Sequence, residues 1–247
     1  MMAPDFAWDR FLLTAMATAL AGMLRGFSGF GPAMVFTPVA SAIYGPTAAV
    51  PILFLIDALL SLPIVARSVR HCRWREVLPI SAGAAVTIPL GVWVLVQTDP
   101  TLLRWILCLT ILLAVGALAS GWRYSAEPSV ATALGAGGLS GFGGGFAGLY
   151  GPPIILFWLG GRSAAATIRA NIFVYFGLVT VVAGVAFWYS GLFTAEVMTL
   201  ALFLMPVYGV ALWVGSLGFG RAPEAVYRYG ALLLCALAAL GGLPLWS

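Results

Sequence analysis

Only a handful of residues in the apolar stretches of this 247-residue chain can bind an ion or move a proton. Arg25 stands against GFSGFGP, Asp57 interrupts ILFLIDALLSL, and Arg169 and Asn171 lie in ATIRANIFVYF. In a lipid-embedded segment an ionisable group is expensive, so it marks an ion or substrate path. The competing reading is a side chain that snorkels from a segment end to the head groups, and it stands beside the first for Arg25 and Arg169. Arginine and a neighbouring asparagine amide suit an anion, which makes Arg25, Arg169 and Asn171 candidate ligands. Asp57 is expected to pair with Arg169 or to carry a coupling proton.

Beside these groups lie two glycine-rich runs, RGFSGFGPAMVFTP from Arg25 and SGFGGGFAGLYGPP from Ser140. An offset of 115 positions takes Gly26 to Gly141, Phe27 to Phe142, Gly29 to Gly144, Pro38 to Pro153 and Gly45 to Gly160. The chain therefore reads as a duplication with one helix-breaking element at the same place in each half. A helix that starts inside the membrane leaves its first N–H groups unpaired and carries partial positive charge there. Glycine lets a substrate approach that backbone. Two such ends facing one another form an anion site from Gly26, Ser28 and Gly29 in the first run and Gly141, Gly143 and Gly144 in the second. Ser140 adds a hydroxyl, and Pro32, Pro38, Pro152 and Pro153 suit helix starts. Tyr150 is placed to hydrogen-bond substrate, or to pack as a buried ring. Close helix packing is the competing account of the glycines.

Other chemistry lacks its residues. The single histidine, His71, sits in a basic loop, and Cys72, Cys108 and Cys235 have no metal-ligand spacing, so neither a metal nor a catalytic site is expected. GFGGGFAG lacks the GKS/T ending of a phosphate-binding loop, and no cofactor is indicated.

The elements that position these groups are membrane segments. Hydrophobic residues make up 62% of the chain, charged residues 8%, and the mean hydropathy is +1.04. A soluble domain carries about 25% charged residues. The sequence predicts an all-α membrane protein, a single domain over 1–247 built of two repeats, 6–121 and 130–246. Apolar segments run over 6–24, 30–44, 46–66, 77–97 and 102–121, then 130–145, 150–160, 165–189, 196–217 and 225–246. Residues 130–160 are short for two full crossings, so a re-entrant hairpin with its glycine turn near mid-membrane is expected. The total is then eight to ten segments. The N-terminus has no basic region of the kind that opens a removable signal peptide.

Basic residues set the threading. Arg67, Arg70, Arg73 and Arg75 place the loop before the fourth segment in the cytoplasm, and Arg123, Arg162 and Arg221 do the same for theirs. The stretches 97–101 and 189–196 hold no Arg or Lys and read as outside. Five segments per half invert the second copy, and both termini fall outside. The net charge of +4 is thus a topology signal, not a mark of nucleic-acid binding.

The two halves, each with GFxG, a downstream proline and a short loop to the next helix, resemble the sulfite exporter TauE/SafE family, also called the toluene-sulfonate uptake permease group. The resemblance covers about residues 10–245 and rests on Gly26, Gly29, Gly141 and Gly144 with Pro38 and Pro153. It implies a bacterial inner-membrane secondary transporter, without cofactor, for sulfite, sulfonates such as sulfoacetate, or related small organic anions. Export by alternating access is the expected mechanism, with an anion channel or an uptake permease for other carboxylates or sulfonates as alternatives. The partners expected are the small anion and the lipid bilayer, with homodimerisation possible through the many small residues.

Overall fold

The computed structural model describes residues 8–120, 129–159, 164–217 and 224–245. Among the described residues there are ten helices and no strand. The first half holds α1 (Trp8–Ser28), α2 (Pro32–Tyr44), α3 (Pro46–Ser68), α4 (Trp74–Gln97) and α5 (Pro100–Ala119). The second holds α6 (Val130–Ala147), α7 (Gly151–Leu159), α8 (Ala165–Tyr189), α9 (Ala195–Leu217) and α10 (Glu224–Gly242). The stretches Pro46–Ser68, Trp74–Gln97, Pro100–Ala119, Ala166–Tyr189 and Ala195–Leu217 are long and apolar enough to cross a membrane. Their outer faces carry apolar side chains such as Val86, Leu113, Val181 and Leu202, which lipid solvates and water would not. This is a multi-pass membrane protein. Arg123, Arg162, Arg221 and Gly160 lie outside the described residues.

Glycine decides which helices touch. Gly137, Gly141 and Gly145, one per turn of α6, rest on the backbone of Ile80, Ala84 and Ile88 in α4. From α4, Gly83 and Gly91 rest on the carbonyls of Leu134 and Phe142. The Thr87 hydroxyl donates across the same seam to the Gly138 carbonyl at 2.7 Å. A second seam joins α1 to α9, where Gly22 and Gly26 meet the carbonyls of Tyr208 and Leu212, and Gly215 meets Met23. A Cβ at any of these glycines would overlap a neighbouring main chain. Lipid gives helices no hydrophobic reason to associate, so close backbone contact supplies the attraction instead. The offset of 115 takes α1 to α6 and α4 to α9, so the two seams exchange with each other.

The chain breaks fall later than the glycine motifs predict. Gly26 lies within α1 and Gly141, Gly143 and Gly144 lie within α6; the turns are at 29–31 and 148–150. Gly29 and Gly31 adopt φ of 79° and 85°, and Gly148 adopts 73°, values that a Cβ disfavours. Gly148 ends α6 as a left-handed cap, its own N–H donating to the Gly144 carbonyl at 2.9 Å. The second break comes one helical turn later than the offset places it, since Ser28 maps to Gly143 while α6 continues to Ala147. The hairpins are also unequal. Within the described residues α6 has 18 residues and α7 has 9, roughly 27 Å and 14 Å of rise, so the two arms differ in length. Pro32, Pro152 and Pro153 occupy first turns, but Pro38 sits inside α2.

These seams give a prediction. Gly141→Leu forces α4 off α6 and is expected to cost monodisperse folded protein, as followed by size-exclusion chromatography in detergent. Gly135→Ala, whose Cβ meets nothing within 4 Å, is expected to leave both elution and melting temperature unchanged or slightly improved.

Candidate functional site

The two half helices begin beside each other. Gly151 approaches the Phe30 side chain, and Gly148 faces Ala33 and Thr37 of α2. Between these starts lies a cavity of about 50 Å3. It is several times the ~10–15 Å3 needed for one water, enough for a small ion. Gly31, Pro32 and Met34 line it from the start of α2, and Leu149, Tyr150 and Gly151 from the start of α7. Asp57 of α3 and Phe176 and Thr180 of α8 complete the wall. Both helix N-termini therefore present their positive ends to one space.

Two side chains on this wall carry the polar chemistry. Tyr150 is 8% exposed, and its hydroxyl has no hydrogen-bond partner among the described residues. Its ring lies flat against Gly144, where no Cβ would fit. Its carbonyl accepts from the Ser140 hydroxyl, which also contacts the Tyr175 hydroxyl at 2.6 Å. Backbone and ring are thus fixed while the phenol is left for the cavity. Asp57 is the other. Its Oδ1 accepts from Arg25 Nε at 2.9 Å, Tyr208 at 2.7 Å and Ser61 at 3.0 Å.

Arg25 lies behind Asp57 and is 1% exposed. Its Nη1 donates to the Gly29 carbonyl at the end of α1, its Nη2 has no hydrogen-bond partner among the described residues, and its guanidinium lies 4.2 Å from the ring centre of Phe176. Snorkelling is ruled out for Arg25 by this burial. Phe173 lies 5.2 Å from the same guanidinium and 5.6 Å from that of Arg169. Arg169 Nη2 donates to the Gly26 carbonyl at 3.2 Å. Two arginines thus cap the carbonyl end of a helix that stops among other helices, and their charge opposes the negative end of its dipole.

The structure divides the sequence candidates. Tyr150, Gly144 and Asp57 reach the cavity; Gly29 lies in the first turn against Phe173, and Gly143 lies within α6, its carbonyl accepting from the Leu149 N–H at 3.1 Å. Gly26 and Gly141 face neighbouring helices instead. Ser28 lies in the last turn of α1. Asp57 pairs with Arg25, which reaches it from the last turn of α1, in place of the expected Arg169. Asn171 is fully buried elsewhere. Its amide donates to Glu76 at 2.8 Å and its oxygen accepts from the Arg73 N–H at 2.8 Å, which ties α8 to the first turn of α4. Sequence reasoning missed Tyr208, Ser61 and Phe176, ordinary residues in apolar helices whose partners come from distant segments. Gly31 and Gly148 had a readable signal, each lying just before a proline-led helix start. Among the described residues no cluster of His, Cys, Asp and Glu is placed to hold a metal.

Removing one partner of a buried pair strands the other charge, at a cost of ~3–5 kcal/mol. Arg25→Ala and Asp57→Ala are each expected to lower the melting temperature strongly. The double variant should recover part of the loss, which a double-mutant cycle by thermal denaturation measures.

The profile of the family Sulfite exporter TauE/SafE matches residues 14–241, nearly the whole chain. Neither a curated protein sequence nor a solved structure matches it.

Proposed function

The chain belongs to the Sulfite exporter TauE/SafE family, and from that footing we propose that it carries small sulfur oxyanions, sulfite or a short sulfonate such as sulfoacetate, across a bacterial inner membrane. The observation that carries the reading is the shared cavity at the starts of α2 and α7, with the Tyr150 hydroxyl unpartnered in its wall. An oxyanion offers several acceptor oxygens on a compact charge. Unpaired N–H groups of a helix first turn, a phenol donor and the positive dipole ends satisfy those oxygens without a metal. The cavity's small volume favours an inorganic anion or a one- or two-carbon sulfonate over an aromatic sulfonate.

Alternating access fits the same geometry. The basic turn with Arg67, Arg70, Arg73 and Arg75 puts the end of α3 and the start of α8 at the cytoplasmic side. Arg25, Phe173 and Arg169 then form a layer between the cavity and the cytoplasm, and export requires that layer to part. Two seams that exchange under the repeat offset support a pseudo-two-fold relation between halves of opposite orientation, the arrangement in which a central site is served from either side.

Thermal shift of the purified protein in detergent tests the substrate class, since a ligand that binds only the folded state raises the melting temperature. Sulfite, sulfoacetate or methanesulfonate is expected to stabilise the protein, and acetate and phosphate less so. Tyr150→Phe should weaken binding about tenfold or more, a hydrogen bond to a charged group being worth ~1.5–3 kcal/mol. No stabilisation by any of the three sulfur anions would overturn the reading, and saturation-free current in electrical recordings would replace it with a channel.

A further inference from the structure

The cavity proposed for an anion has a carboxylate in its wall. Asp57 and Tyr150 are, among the described residues, the ionisable ones that line it, and the balancing guanidinium of Arg25 lies behind Asp57. An anion entering beside an ionised Asp57 would place two like charges together in a space too small for much water. In a low-dielectric site such a pair is held only if one charge is neutralised. The three hydrogen bonds on Asp57 all go to Oδ1, and its side chain retains 16% exposure, so the carboxyl group borders the cavity.

From this geometry we infer that Asp57 is a proton site coupled to anion binding: each monovalent anion that enters takes up one proton with it, and replaces the carboxylate as the counter-ion of Arg25. The proton comes from bulk solvent with the anion and ends on the carboxylate, and the anion remains ionised, so the local charge is the same before and after. The Nη2 group of Arg25, buried and without a hydrogen-bond partner, is the donor that becomes available to the anion. The groups facing Asp57 from its neighbours are Arg25 on α1, Tyr208 on α9, Ser61 on its own helix and Tyr150 ahead of α7. Arg169 of α8 lies 5.6 Å from the ring centre of Phe173, and the parts of α2 and α6 in the wall contribute no ionisable side chain. Asp57 is therefore the one acid among them that can take the proton while Arg25 stays charged.

Protonation also loosens the layer behind the cavity, because the Arg25–Asp57 pair ties the end of α1 to α3. Coupling in this form makes movement of a monoanion electroneutral. Net flow follows the anion and proton gradients together, so a cell that accumulates the anion exports it with a proton.

The inference rests on the anion reading of this cavity, and its test separates the two. Proton uptake is counted by calorimetric titration of the detergent-purified protein in two buffers of different ionisation enthalpy. The probe is methanesulfonate, a strong-acid monoanion that does not itself buffer. Uptake of one proton per bound anion in the unmodified protein supports the coupling, and binding with no proton uptake overturns it while leaving the anion site in place. Asp57→Asn is expected to abolish the uptake; an unchanged count in that variant would assign the proton elsewhere and overturn the proposal. In proteoliposomes, methanesulfonate entry should ignore an imposed potassium diffusion potential in the unmodified protein and follow it in Asp57→Asn. Should the variant fail to fold, the count in the unmodified protein decides alone. Absence of any binding would remove the site and the coupling together.

Discussion

The Arg25 guanidinium lies at 1% exposure where the end of α1 meets α3 and α8, and it makes three kinds of contact at once. It donates to the Asp57 carboxylate, donates to the carbonyl of Gly29, and lies over the ring of Phe176. Each contact answers a separate problem of a protein in lipid. A helix that stops inside a membrane exposes carbonyls that no water can reach, and a carboxylate at that depth needs a counter-charge. A planar guanidinium with several donors in a fixed fork can serve the carbonyl and the carboxylate together, whereas an ammonium on a flexible stem does so less well. The broken helix, the acid and the aromatic wall are therefore parts of one arrangement.

Close packing of glycine against backbone makes that arrangement possible. The α1–α9 and α4–α6 seams bring helix axes near enough for main chain to touch main chain, which anchors the long arm of each hairpin. The short arms, α2 and α7, are left to start beside one another at the cavity. The long helices thus supply rigidity, and the half helices supply electrostatics. The same residue type performs both tasks. Gly26 and Gly141 are needed for what they lack, a Cβ that would collide; Gly29, Gly31 and Gly148 are needed for the backbone angles they permit.

In a cavity of about 50 Å3 the balance of charge is narrow. Two helix starts contribute roughly half a positive charge each, and the Asp57 carboxylate opposes them with Arg25 behind it. A neutralised Asp57 leaves the guanidinium and both helix starts uncompensated, a setting that an oxyanion fits. Ionised Asp57 offsets the Arg25 guanidinium and leaves the two helix starts alone to attract a ligand. Under the proposed coupling, the group that accompanies Arg25 links occupancy of the cavity to the tie between α1 and α3.

Composition alone determined that the chain lives in a membrane, because so few charges leave no surface for water. The Gly/Pro runs marked where helices break, to within one turn, since few other residues tolerate such backbone. The family was legible in the same residues. The candidate site was legible in part: Tyr150 and Asp57 stood out, one beside a proline-led helix start and the other as a lone acid in an apolar segment. Tertiary structure alone decided the pairing. Arg25 and Arg169 are both arginines near apolar segments, and nothing in their spacing says which one Asp57 meets. Gly26 and Gly144 look alike in sequence, yet one faces a neighbouring helix and the other a tyrosine ring on the cavity wall. Periodicity along a chain records which residues share a face, but which helix covers that face depends on the close contacts of segments that are not neighbours in the chain.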